Sequence, residues 1–61
     1  SITVSRGDSL WTYAAEYADE DHYDNYQNYI DEVLQMNGLS SEDITAGQHL
    51  VIPYYSAEFV A

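Results

Sequence analysis

The sequence predicts an α+β domain of order β-α-α-β, with a two-stranded antiparallel sheet packed on two helices. Three observations predict it. Ile2, Thr3, Val4 and Ser5 alternate apolar and polar, two apolar stripes at helical spacing fill the middle, and the run His49, Leu50, Val51, Ile52 is short, β-branched and closed by Pro53. Strands at the two ends of one small domain pair antiparallel when a helical hairpin between them returns the chain.

The first strand is expected over residues 2–5, with a turn at Gly7. Asp8 then stands before Leu10, Trp11, Ala14 and Tyr17, an i, i+1, i+4, i+7 pattern. A helix is therefore expected over residues 9–17, with the Asp8 carboxylate as its N-cap. Asp19, Glu20 and Asp21 would sit badly at the partial negative charge of a helix C-terminus, so the helix ends before them. Asp24 with Gln27 reads as a capping box, and Tyr26, Tyr29, Ile30, Val33 and Leu34 form the apolar stripe of a second helix starting near Asp24. Its end is marked by Asn37 and Gly38, which permit a left-handed cap, with Leu39 folding back on Leu34. Ser40 with Asp43 is expected to nucleate one isolated helical turn. Ala46 and Gly47 reverse the chain into the second strand, expected over residues 49–52.

Composition limits the function before any motif is considered. A chain of 61 residues leaves about 60% of its unfolded surface buried on folding, room for one thin core and not for a deep catalytic cleft. Arg6 alone faces eleven carboxylates, for a formal net charge of −10, so nucleic acid and anionic lipid are repelled rather than bound. The absence of cysteine removes disulfides, thiolate zinc sites and cysteine nucleophiles. No apolar run approaches the ~18 residues of a membrane span, and residues 1–5 do not resemble a signal peptide. No cofactor is expected. The start and finish on strand-like segments suggest a module taken from something larger.

Three segments resemble the LysM family, whose β-α-α-β modules bind N-acetylglucosamine-containing glycans such as peptidoglycan and chitin. They are Ile2-Thr3-Val4-Ser5-Arg6-Gly7-Asp8-Ser9-Leu10-Trp11, Met36-Asn37-Gly38-Leu39, and Ile44-Thr45-Ala46-Gly47-Gln48-His49-Leu50-Val51-Ile52-Pro53. They cover about half the chain, in the family's order. Two departures stand out: Ala46 replaces the usual proline, and the stretch of residues 18–29 is longer than the family's by roughly two helical turns and is acidic and Tyr-rich. The extra length could lengthen the second helix, add a turn of its own, or reshape the neighbourhood of the sites. The expected organisation is thus a glycan-binding domain over residues 1–53 with an acidic insertion around 18–29, followed by a C-terminal extension over 54–61.

The resemblance implies a non-catalytic module anchoring a larger, bacterial, extracellular or envelope protein to the cell wall, without membrane insertion and alongside tandem modules or a catalytic domain. It also implies that the turn before the first helix faces the loop after the second. The candidate glycan-binding residues are Gly7, Asp8, Ser9 and Leu10 on one wall and Asn37, Gly38, Leu39 and Ile44 on the other. Such a site needs peptide donors and acceptors for N-acetyl and hydroxyl groups and apolar patches for the sugar's CH faces. Leu39 and Ile44 serve equally well as core, Leu10 is expected mostly buried with one edge on the groove, and Trp11 has two places open to it, beside the groove or over the sheet. Tyr13, Tyr17, Tyr26 and Tyr29 are expected in core or rim.

A second reading, a protein-interaction or self-association module, would use the Tyr-rich insertion and the tail with Tyr54 and Tyr55. The acidic run of residues 19–24 lacks the glycine and terminal glutamate of a calcium loop, and His22 and His49 stand without further ligands at metal spacing. Arg6-Gly7-Asp8 falls inside a structural turn. Paired carboxylates for sugar hydrolysis are not evident.

Overall fold

The computed structural model describes residues 1–53; the expectations for the extension at 54–61 lie outside the described residues. The elements run β1 (Ile2–Thr3), α1 (Leu10–Tyr17), α2 (Tyr26–Asn37) and β2 (His49–Leu50). The two strands pair antiparallel, with Ile2 opposite Leu50 and Thr3 opposite His49. Val4 extends the pairing by donating to the Gln48 carbonyl at 2.8 Å and accepting from the Gly47 N–H at 2.8 Å. The expected β-α-α-β arrangement is therefore the fold of the chain.

One core joins all four elements: Val4, Leu10, Tyr13, Ala14, Tyr29, Ile30, Val33 and Leu50 are buried together. α1 buries Leu10 and Ala14 of its expected stripe together with Tyr13, while Trp11 of that stripe is exposed, and α2 buries Tyr29, Ile30 and Val33. Tyr26, the first residue of α2, stays exposed at the rim.

Both helix caps fall one residue later than the sequence pattern placed them. Ser9, not Asp8, caps α1: its hydroxyl accepts from the Thr12 N–H while Thr12 Oγ1 accepts from the Ser9 N–H, a reciprocal box. Asp8 is drawn away by Tyr13, whose hydroxyl donates to Asp8 Oδ2 at 2.6 Å. Asn25, not Asp24, caps α2, accepting from the Asn28 N–H at 2.9 Å. Asn and Asp serve equally as caps, and Asn25 holds the extended backbone next to the helix. Residues 40–42 form bends rather than the expected helical turn, and no strand assignment extends past Leu50. Beyond that point the backbone pairs with a side chain, described below.

The connection of residues 18–25 does not lengthen α2. It folds as a turn around Asp19, whose Oδ1 accepts from the N–H groups of Asp21 and His22, both at 3.0 Å, and pairs with the His22 ring at 2.7 Å. That pairing holds the Asp19 carboxyl below its ordinary range. Tyr23 turns inward: its ring meets Tyr29 edge-on at 5.2 Å and its hydroxyl donates to Glu32. This aromatic residue of the connection is thus committed to the fold.

Tyr29 is fully buried, and its hydroxyl has no partner among the described residues. Burial pushes its ionisation up to about 12, with the nearby charges of Tyr17, Glu32 and Glu16 adding in the same direction. Because the folded value lies above the ordinary 10.0, this contribution to stability is fully present below pH 10 and is lost as pH rises through about 12. Tyr29→Phe removes the unpaired hydroxyl without emptying its ring site. It should raise the melting temperature by about 4–8 °C, if roughly 1 kcal/mol of desolvation cost is relieved. Alkaline unfolding should also move upward; thermal melts at neutral and alkaline pH check both, and a lower melting temperature would mean that the hydroxyl is bonded in solution.

Candidate functional site

Two chain reversals, one before α1 and one after α2, carry the candidate residues. At the first, Gly7 takes a φ of +89°; at the second, Gly38 takes +65°. Both lie in the left-handed region that favours glycine. Apart from the chain neighbours, no atom of the described residues lies within 4 Å of the space a Cβ would fill at either position, so both backbones present an open face.

The reversals are built differently. In the first, the Asp8 N–H donates to the Ser5 carbonyl at 3.0 Å, and the Asp8 carboxylate accepts from the Ser5 N–H at 3.4 Å as well as from Tyr13. Burial, and next the bond to Asp8, raise the ionisation of the Tyr13 phenol. The second follows the sequence expectation: Gly38 donates to Gln35 at 3.3 Å and Leu39 to Leu34 at 2.9 Å, satisfying the last carbonyls of α2.

Asn37 locks this exit to the sheet. Its Nδ2 donates to the carbonyls of Val33 and Val51, both at 2.7 Å, and its Oδ1 accepts from the Val51 N–H at 2.9 Å. The side-chain amide thereby imitates a neighbouring strand and takes over where β2 stops.

Trp11 joins the two walls. Its indole N–H donates to Glu42 Oε1 at 3.1 Å, across 31 positions of sequence. Trp11 is 46% exposed, lies outside the core cluster and is bonded to the loop after α2. The acidic connection links the opposite ends of the helices. At about 1.5 Å per residue, the connection starts about 12 Å along α1 from the first reversal and ends about 18 Å along α2 from the second.

Each candidate residue can now be placed. Gly7 is exposed and its N–H has no acceptor among the described residues; the same is true of the N–H groups of Leu10, Trp11, Ser40 and Ile44. The side chain of Leu10 is only 1% exposed and belongs to the core, so its offering to a ligand is its peptide group and not the apolar edge expected of it. Asp8, Ser9 and Asn37 use their side chains internally and shape the walls. Gly38 is open, while Leu39 and Ile44 lie half-buried on the core with part of each still in water. Glu42 was not visible as a candidate, since nothing local marks a carboxylate in a loop as the partner of a distant indole. The combination is a rim of unpaired peptide donors with apolar edges, suited to amide and hydroxyl groups on a sugar. Among the described residues no group of three or more metal-ligating side chains converges.

The family profile described as LysM domain matches residues 2–53. The chain belongs to the LysM family. LysM domains are glycan-binding modules, typically extracellular or associated with the cell envelope, that take N-acetylglucosamine-containing glycans such as peptidoglycan. Similar curated proteins carry the name cell division suppressor protein YneA. That of Bacillus subtilis (strain 168) is 40% identical over 52 residues, covering 85% of this chain and 49% of its own. That of Geobacillus thermodenitrificans is 38% identical over 53 residues, covering 87% and 52%. That of Bacillus velezensis is 36% identical over 52 residues, covering 85% and 50%. The chain spans about half the length of these curated relatives. No solved structure matches the sequence at a significant level. No helix among the described residues is long and apolar enough to cross a membrane.

Proposed function

We propose that this LysM domain is a non-catalytic module that holds a larger bacterial protein on peptidoglycan, with the glycan lying between the Gly7–Leu10 turn and the loop from Asn37 to Ile44. One observation carries the reading: unpaired peptide N–H groups stand on both reversals, and Trp11 and Glu42 tie those reversals together. Such a rim meets acetamido and hydroxyl groups at little conformational cost because it is already formed. A shallow wet site gives weak binding, about 0.1–1 mM for a short oligomer, and repetition along the polymer supplies avidity. The bacterial relatives favour peptidoglycan over chitin as the natural ligand. The relatives' name, cell division suppressor, supports a role for the host protein during cell division.

Charge sets the conditions. Residues 16–32 carry seven of the eleven acidic side chains, and the whole chain repels a wall rich in anionic polymer. Acidification makes the chain less negative, and salt screens what remains. Co-sedimentation with purified cell wall should therefore strengthen from pH 7 to about pH 5, and at pH 7 with added salt. The fold tolerates this window: the contribution of Asp19 is present above its ordinary 3.8 and is lost only as pH falls below it. No retention of the domain on peptidoglycan at any pH or salt would defeat the proposal, and retention that weakens on acidification would defeat the charge argument.

A further inference from the structure

We infer that Trp11 forms a stacking subsite for an additional pyranose of the same glycan chain, with Glu42 as the residue that positions its ring. The inference rests on the glycan reading and extends it to an aromatic ring that lies between the turn and the loop. Trp11 is 46% exposed and does not belong to the core, although Leu10 before it and Tyr13 after it are buried. An aromatic ring with half its surface in water is free to contact a ligand. Its rotation is restrained, because the indole N–H is tied to Glu42 at 3.1 Å.

The restraint works in both directions. Residues 40–44 contain no strand or helix. Among the described residues the Trp11–Glu42 bond is the one hydrogen bond joining that stretch to another element; the Asp43 N–H bonds within it, to Ser41 Oγ at 3.4 Å. Glu42 thus holds the ring against the loop, and the ring holds the loop beside α1. A ring fixed before binding pays little ordering entropy on contact. Its electron-rich face attracts the weakly positive CH groups that line a pyranose face. The unpaired N–H groups of Leu10, Trp11, Ser40 and Ile44 lie on the same two walls, so a sugar on the ring would continue a chain held by them. A β-linked N-acetylhexosamine polymer presents such CH faces along its length, whereas a single sugar would fill only one place.

Trp11 is the chain's single tryptophan, so its emission reports this place alone. N-acetylglucosamine oligomers from disaccharide to hexasaccharide should be titrated into the wild-type domain and into Trp11→Ala, Trp11→Tyr, Glu42→Ala and Glu42→Gln variants. Longer oligomers should shift the wild-type emission. Trp11→Ala should weaken the longest oligomer about three- to tenfold and the disaccharide little, flattening the gain of affinity with length. Trp11→Tyr should retain most of the gain. Glu42→Ala should lose part of it and Glu42→Gln should restore it, since the glutamine oxygen still accepts from the indole. An unmoved emission at saturating hexasaccharide, or an equal loss at every length in Trp11→Ala, would overturn the inference. Amide shifts at Gly7 and Ile44 persisting in that case would leave the glycan reading standing. Their absence with every oligomer in the wild-type domain would overturn both.

Discussion

Replacing Asn37 with alanine is expected to lower the melting temperature by roughly 10–20 °C, a severe loss for a domain of this size. The side chain makes three hydrogen bonds, two to Val51 and one to Val33. At about 1 kcal/mol each they sum to roughly 2–3 kcal/mol, because Val51 is 49% exposed and water recovers part of what is lost. A domain this small has a total stability of roughly 3–8 kcal/mol, and each kcal/mol moves its melting temperature by about 4–8 °C. Asn37→Asp should be no milder: it keeps the acceptor for the Val51 N–H but sets a carboxylate against two carbonyls that had donors. Calorimetry of both variants checks this. A fall below about 3 °C in Asn37→Ala would mean that backbone and core hold the exit of α2 without the amide.

The second large effect is expected at Asp8. Its carboxylate takes the Tyr13 hydroxyl at 2.6 Å and the Ser5 N–H at 3.4 Å, and so fastens the Gly7 reversal to the buried face of α1. Asp8→Ala leaves the Tyr13 hydroxyl without that acceptor in a largely buried site, at a cost of about 1–3 kcal/mol, or about 5–20 °C of melting temperature. With the turn loosened, glycan affinity should fall about tenfold, equivalent to 1.4 kcal/mol. Asp8→Asn retains an oxygen acceptor and should recover much of both. The phenol provides an independent readout: the bond to Asp8 is among the causes that raise its ionisation, so removal should bring the Tyr13 titration part of the way back toward its ordinary value. An Asp8→Ala variant that binds glycan as tightly as wild type would show that the turn needs no fastening.

The sequence made legible whatever depends on neighbours a few positions apart. The exit of α2 at Gly38, with Leu39 bonded back to Leu34, follows from one glycine and one apolar residue, and it stands where expected. Of the two apolar stripes, Leu10, Ala14, Tyr29, Ile30 and Val33 are core, while Trp11 and Tyr26 are exposed and Tyr13, off the first stripe, is buried; the short end strands defined the sheet. What failed was choice among equals. Asp8 and Ser9 are both good caps, as are Asp24 and Asn25, and the decision at the first pair came from a Tyr13 hydroxyl that no cap rule considers. The extent of β2 was overestimated because β-branched residues signal extended backbone without saying what it pairs with; here it is the Asn37 side chain, 14 positions away.

At the candidate site, open backbone was legible in the sequence and the use of the side chains was not. Gly7 and Gly38 present open backbone, but Leu10 is sealed in the core, and Asp8, Ser9 and Asn37 spend their polar groups internally. A glycine predicts exposed backbone because its conformation is local. Whether a neighbouring polar group is free depends on contacts such as Trp11 with Glu42, separated by 31 positions, for which no spacing rule exists.

The central claim is that the two reversals act as the two walls of one glycan site. Following backbone amide resonances while a N-acetylglucosamine oligomer is titrated tests it most directly. Gly7, Ser9, Leu10, Gly38, Leu39 and Ile44 should shift together along one binding curve, with the connection of residues 18–25 unmoved. Shifts confined to one reversal, or centred on the acidic connection, would contradict it.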